Sequence, residues 1–351
     1  MFDEKMISAM KKRGRYIRQA VQGDKELGRL SLLPGTWANE QGFEGRGWNM
    51  IALPSETAPF KYRLLMNQYN EVLSFITADK GVPNRGLSED GSGVDADQVI
   101  VALDYQQKID QIAVDDFPPT DDETRGRVPK PIHHEPGLFL NMTNRTTNGF
   151  DIARLGTIPH GNAVLALGRS NVVDDIDLSG LRMSGLPIGL GVGIRVDEDP
   201  DPARPSYLDP YRHYHNHPFK GVVTDADFPG FEPVDPVNLL RLAAADLDIK
   251  RTTVLDLDTT TETAGIVNIP FIVDQADATE MRSMFWIHEL HETGDADEPR
   301  LVLQYAQIVM LDFFGRRDGG PGRIKWPHVS INTMVKVSKE GEDMQTMLEK
   351  Y

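Results

Sequence analysis

The sequence predicts an all-β protein, a sandwich or barrel of short antiparallel strands, and three observations carry that reading. From Val99 to Ile112 the residues alternate, with Val99, Val101, Leu103, Tyr105 and Ile109 on one face and Gln98, Asp104, Gln106, Lys108 and Asp110 on the other. A period of two marks a half-buried antiparallel strand. Gly and Pro are frequent, 31 and 23 among 351 residues, and they bound the strand-like runs with turns. Only two stretches, at the N-terminus and after Asp235–Pro236, space their apolar residues for a helix.

Taken in order, MFDEKMISAMKKRGRYIRQAV reads as an amphipathic helix with Met6, Met10 and Ile17 on one side, within an arm covering residues 1–29. Strands follow at Tyr62–Ile76, Val99–Ile112, Ile132–Met142, Phe150–Ile158 and Asn162–Gly168, separated by PNRG, PGLF, TNG and PHG turns. From Ser170 to Pro236 the pattern breaks into SGLPIGLGVGI, the acidic VDEDPDPARPSYLDP and HYHNHPF. A Pro- and Gly-rich stretch of this length is expected outside the sheet, packed across its surface or mouth. Asp235 as N-cap and Pro236 at the first helical position predict a helix to about Ile249, laying Leu239, Leu240 and Leu247 against the sheet. Strands resume with GIVNIPFIV, MRSMFWIHELHE and LVLQYAQIVMLDFF, the last placing Leu301, Leu303, Tyr305, Val309, Leu311 and Phe313 on one face. WPHVSINTMVKV closes the fold and a polar tail, 337–351, follows.

Composition narrows the function. Lys and Arg number 37 against 53 Asp and Glu, a net charge of −16, which opposes nucleic acid or an anionic membrane as the main partner. There is no Cys, so disulfides, thiolate nucleophiles and Cys-ligated zinc or iron–sulfur sites are excluded. No apolar run is long enough to span a bilayer, and the charged opening lacks a secretory h-region, so a cytoplasmic location is the default expectation. SGLPIGLGVG lacks the G-x-G-x-x-G spacing and a preceding strand, and there is no Walker A, G-x-S-x-G or EF-hand motif.

The chemistry therefore falls to His. His213, His215 and His217 in YRHYHNHPF would share one face if extended, either as ligands for Zn or Fe or as a polar surface loop. His288 and His291 in FWIHELHE miss the H-E-x-x-H spacing, because His291 is three residues on, and a strand would point them to opposite faces. His133, His134 and Glu135 form a third group, with His160 at a strand-to-strand turn before Gly161. His328 follows Trp326–Pro327 at the start of the last alternating strand.

Together these residues resemble the nitrobindins, heme-binding β-barrels of the fatty-acid-binding-protein type. LGRLSLLPGTWANEQGFEGRG, with Leu33, Gly35, Thr36 and Trp37, is similar to the family's L-x-G-T-W-x-G opening. IHHEPGLFLNMTN resembles its H-x-E-T-G-x-L-R strand through His134, Pro136 and Gly137. TIPHGNAVLALG resembles its P-T-G-x-V-x-x-x-G turn and strand through Pro159, Gly161 and Gly168, and WPHVSINTM its T-P-H-L-x-A-x-L. The chain departs in being about twice the usual length, leaving Ser170–Glu262 without a counterpart, and in carrying His160 where the family has Thr.

The resemblance implies an antiparallel up-and-down β-barrel of about ten strands with a few short helices, a single domain at 30–336 interrupted by an insertion at about 170–262. It further implies heme b, with His328 as the iron ligand and His160, His134 and Trp37 in the heme pocket. A distal His160 suits general acid–base work on peroxide, so the expected activity is peroxidase-like or directed at NO or peroxynitrite. The alternatives are a carrier of an apolar ligand such as a fatty acid, and a non-heme metal enzyme using His213, His215 and His217. No nucleic-acid or membrane partner is expected, and a homodimer is open.

Overall fold

The computed structural model describes residues 18–40, 42–84, 86, 97–119, 130–142, 144, 148–158, 161–191, 196–197, 206–261, 263–293 and 299–340. The helix expected around Met6, Met10 and Ile17 lies outside the described residues. The chain is all-β, as expected, and its strands close into a ten-stranded antiparallel barrel. In chain order they are β1 (Arg18–Gln19), β2 (Gly35–Ala38), β3 (Gly47–Pro54), β4 (Tyr62–Asn84), β5 (Gln98–Phe117), β6 (Lys130–Met142), β7 (Ile152–Ile158) and β8 (Asn162–Asp174). After a long excursion come β9 (Ile249–Asp258), β10 (Gly265–Asn268), β11 (Asp277–Thr293), β12 (Pro299–Gly315) and β13 (Arg323–Ser338). Among the described residues the short helices are α1 (Asp209–Asn216), α2 (Asn238–Ala244) and α3 (Pro270–Ala276), and a 3₁₀ helix covers Lys25–Leu30.

Each strand pairs with its chain neighbour from β4 to β9, then β9 with β11, β11 with β12 and β12 with β13. β2 and β3 together fill one position between β13 and β4, and so close the barrel. β1 and β10 add to β4 and β8 respectively. The expected insertion at about 170–262 is thus narrower: β8 runs to Asp174, and β9, from Ile249, is a barrel strand. Its apolar Val254, Leu255 and Leu257 belong to the main core.

The barrel is filled unequally. At one end the 3₁₀ helix and the turn after it insert Leu27, Leu30 and Leu33 against Trp37, Phe75, Leu103 and Phe139, all buried. At the other end the wall is covered from outside. Tyr62, Leu64 and Met66 of β4, Trp48 and Met50 of β3, and Val329 and Ile331 of β13 point outward, yet all are buried. Their cover is the segment between β8 and β9: Phe219, Phe228 and Phe231 surround the Trp48 ring at 5.6–6.1 Å. Tyr211 of α1 packs on Trp326 with Tyr62 where β3 and β13 are no longer paired. The described residues of the Ser170–Pro236 stretch therefore pack on the barrel surface and contribute no central strand beyond the end of β8.

α2 is shorter than the helix expected from Pro236. Asp235 does not cap it; its carboxylate pairs with Arg241, and Val237 holds the N-cap position. Leu239 and Leu240 are buried as expected, while Leu247 joins a separate cluster with Phe43, Leu290, Val302 and Val335. Beneath α2 lies His288, fully buried on the outward face of β11. Its Nδ1 accepts from Thr252 Oγ1 at 2.8 Å and its Nε2 donates to Gln304 Oε1 at 3.3 Å, while Gln304 Nε2 donates to the Leu240 carbonyl. The ring is a neutral clamp between barrel wall and helix.

Burial lowers His288 from its ordinary 6.5 to about 4, so folding excludes a proton that the unfolded chain binds. Stability due to this site is therefore intact above pH 6.5 and falls as pH drops from 6.5 to 4, by about 3 kcal/mol in total. Urea unfolding of the wild type and His288→Gln across that interval should show their difference shrinking toward acid. A difference that stays constant with pH would rule out this titration.

Candidate ligand-binding lumen

The barrel interior is built in rows of register-paired side chains on β4, β3, β13, β12 and β11. Nearest the packed end, Tyr69 pairs with Gly47, and Asn332 with Tyr305, which pairs with Phe285. The glycine is required: a Cβ at Gly47 would sit 2.3 Å from the Tyr69 ring, which lies flat across it. The next row is polar and uncharged, pairing Asn67 with Asn49, Asn49 with Ser330, Ser330 with Gln307 and Gln307 with Ser283. One step further toward the open end, Leu65 pairs with Ile51, and His328 with Val309, which pairs with Met281. Among these five only His328 is polar, and on β5 the row continues from Leu65 to the buried Asp116, which pairs with Arg63.

Exposure changes between these rows. Tyr69, Tyr305, Asn332 and Phe285 are buried, whereas Gln307, Ser330, His328, Ile51, Leu65 and, on β6, His133 are partly exposed although they face inward. At the ends of β3 and β4 away from the 3₁₀ helix the usual arrangement is inverted, with outward Met50 and Leu64 buried and inward Ile51 and Leu65 partly open. These partly exposed inward residues border a lumen in the half of the barrel away from the 3₁₀ helix, narrowed by Met281, Val309, Leu311 and Phe313, which also face inward and are buried.

Two polar networks form its floor. Glu71, 2% exposed, accepts from Tyr305 at 2.6 Å, Gln107 at 2.8 Å and Asn332 at 2.9 Å. Burial pushes its carboxyl above the ordinary range against those three donors. Beside it, Arg154, 3% exposed, donates to Glu135 at 2.9 Å, Gln307 at 2.7 Å and Tyr105 at 3.1 Å. Tyr105 also donates to Glu135, and its ring lies over Gly137, where a Cβ would come within 2.5 Å. Burial alone would raise Glu135, but the Arg154 charge, with His133 and Tyr105, overcomes it and holds the carboxyl at about 2.

The expected site residues are placed unequally. His328 faces the lumen. His134 does not: it is exposed on the outer face of β6, paired with Lys108, and the inward ring is that of His133, 3.3 Å from Glu135. Trp37 faces inward but is sealed in the packed end, its Nε1 donating to the Leu33 carbonyl, so it lines core and not lumen. His160 lies outside the described residues; the following Gly161 sits against Ile269 and Ile272 at α3. α3 touches β11, β12 and β3 at the open end, has no buried residue, and exposes Ile269 and Phe271.

His213, His215 and His217 do not all share a face, because Asp209–Pro210 begins the helix α1: His213 and the C-cap His217 lie together, rings 5.1 Å apart, while His215 points away from them. His213 stacks on Phe117 at 4.1 Å, and His215 turns to Glu232. Among the described residues no three His, Asp or Glu side chains are grouped to hold a metal ion. Sequence reasoning missed Glu71, Gln107 and Arg154. The available signal was polar residues at the inward positions of alternating strands, as with Gln107 between Tyr105 and Ile109.

No helix among the described residues is long and apolar enough to cross a membrane. No protein-family profile matches the chain, and no curated protein matches it in sequence. Among solved structures, the crystal structure of Rv2717c from M. tuberculosis is similar at 14% identity, over 90% of this chain and 98% of that chain, with a TM-score of 0.37.

Proposed function

We propose that the lumen binds heme b with His328 as the iron ligand, and that the bound group serves redox chemistry on a small molecule such as hydrogen peroxide, NO or peroxynitrite. The observation that supports this best is the place of His328, an inward imidazole beside Val309 and Ile51 and partly exposed to the lumen. The donor set fits, since a porphyrin needs an apolar slot and an imidazole for its iron, which His328 would provide, and Leu65, Ile51, Val309 and Met281 would supply the walls. Bound heme would supply a redox-active iron. The chain's part is to fix the His328 ring on a wall whose outer face is packed, and to keep water from the rows beneath it.

A fatty-acid carrier is the weaker reading. The two arginines facing the lumen are already engaged, Arg63 with Asp116 at 2.7 Å and Arg154 with Glu135, so a carboxylate would find no spare cation on them. His160, which precedes Gly161 in sequence, would serve as the proton shuttle, its ring taking a proton from peroxide and returning it to the leaving oxygen.

Titrating hemin into the purified chain should produce a Soret band that saturates at one equivalent. Uptake of a fluorescent fatty acid with no such band would establish the carrier instead. His160→Ala should keep hemin and lose about a hundredfold in peroxide turnover, the lower end of a positioned acid–base group's contribution. Unimpaired turnover would remove His160 from the mechanism.

A further inference from the structure

We infer that Tyr305 is an electron relay in the barrel interior, oxidised in concert with proton transfer to Glu71; for its oxidant this rests on the reading of His328 given above. Tyr305, 3% exposed, is placed for this by its partners. Its hydroxyl donates to Glu71 Oε2 at 2.6 Å, lies 2.9 Å from the Tyr69 hydroxyl and accepts from Gln107 at 3.4 Å. A phenol is hard to oxidise in a dry interior unless its proton has somewhere to go, since a radical cation there would be an unpaired buried charge. Glu71 provides that acceptor at hydrogen-bond distance, and the raised proton affinity that burial gives it favours the transfer.

The position is equally specific. Asn332, the register partner of Tyr305, is four residues from His328 on the same face of β13, about 13 Å along the strand. That span is short enough for electron tunnelling through a packed interior. In the step, one electron would pass from Tyr305 to a one-electron metal-complex oxidant held at position 328, a peroxide-oxidised heme in the protein's own chemistry or a photo-oxidised ruthenium polypyridyl in the test below. The Tyr305 O–H bond breaks and its proton moves to Glu71 Oε2. A neutral phenoxyl radical and a neutral carboxyl remain, and no net charge is left in the interior. Reduction by an external donor reverses both transfers. The buried pair thereby stores an oxidising equivalent away from the lumen, where it would otherwise attack the cofactor.

The absence of Cys allows a test that needs no heme. In the full-length chain, His328→Cys provides a unique thiol for a ruthenium polypyridyl photosensitiser, excited by a flash in the presence of a sacrificial acceptor. A neutral tyrosyl radical should appear by electron paramagnetic resonance, with a solvent deuterium isotope effect on its formation. Tyr305→Phe should lose the signal, Tyr69→Phe should keep it, and Glu71→Gln should slow its formation by at least about tenfold. If Glu71→Gln fails to fold, the isotope effect in the parent reads the same proton transfer. An undiminished signal in Tyr305→Phe, or formation with no isotope effect, overturns the relay. Hemin binding by the wild type is a separate measurement, so failure of either claim is distinguishable from failure of the other.

Discussion

Replacing His328 with Ala should weaken hemin binding by more than about a hundredfold and remove the Soret band of the ligated form. Loss of a hydrogen-bond partner behind a metal-binding His already costs 10–100-fold in typical sites, so loss of the coordinate bond itself should exceed that range. The substitution also opens a space between Val309 and Ile51, which the β3–β13 wall cannot collapse to fill, because Trp48, Met50, Val329 and Ile331 pin it from outside. That rigidity makes the experiment specific. Free imidazole should enter the vacated volume and restore the band, as a shape-matched ligand in a preformed cavity does. The fold should be unaffected, since His328 is only partly buried. His133 is the internal control: it also faces the lumen, but from β6, away from the His328 row, so His133→Ala should leave hemin affinity within a few-fold of wild type. Hemin binding that survives His328→Ala unchanged would end the assignment.

How much of this was legible in the sequence follows from where each residue's constraints lie. The strand at Val99–Ile112 was readable because one face is core and the other water, so local alternation carries the whole signal. β3 and the first half of β4 were not readable in that way. Their outward residues are apolar, being covered by the segment between β8 and β9, and their inward ones mix Asn49 and Asn67 with Ile51 and Leu65. Which face is inside there is decided by chain a hundred residues or more away. The same limit explains His134. Motif likeness selected one of two adjacent His, and on a strand adjacent residues face opposite ways, so a slip of one position moved the expected ligand from lumen to solvent. The His213 group failed differently: its three-residue face presupposed an extended backbone, while Asp209–Pro210 starts a helix. The Glu71 and Arg154 networks draw members from at least four strands each, and no local pattern contains them.

Arg154→Met should destabilise the fold by about 3–5 kcal/mol at neutral pH, because it removes one partner of a buried ion pair and leaves the other uncompensated. The guanidinium is held by Glu135, Gln307 and Tyr105, and lies 5.2–5.8 Å from the rings of Tyr105, Phe139 and Phe285. Met preserves much of that apolar contact, so the loss would be electrostatic more than steric. The pH dependence separates the two. In the wild type, Glu135 is held at about 2, below its ordinary 4.5, so its stabilisation is present above pH 4.5 and is lost as pH falls from 4.5 to 2. Without Arg154, desolvation dominates, the carboxyl rises above its ordinary value, and the variant should regain stability relative to wild type as acid neutralises Glu135. Adding Glu135→Gln to Arg154→Met should recover most of the neutral-pH loss, since the amide carries no charge and Tyr105 can still donate to its oxygen. Urea unfolding of the two single variants, the double variant and the wild type at neutral and acid pH measures this directly. Were the double variant no more stable than Arg154→Met, the cost would lie in packing around Phe139 and Phe285, and the lumen floor would owe its rigidity to aromatic contacts in place of the buried charge pair.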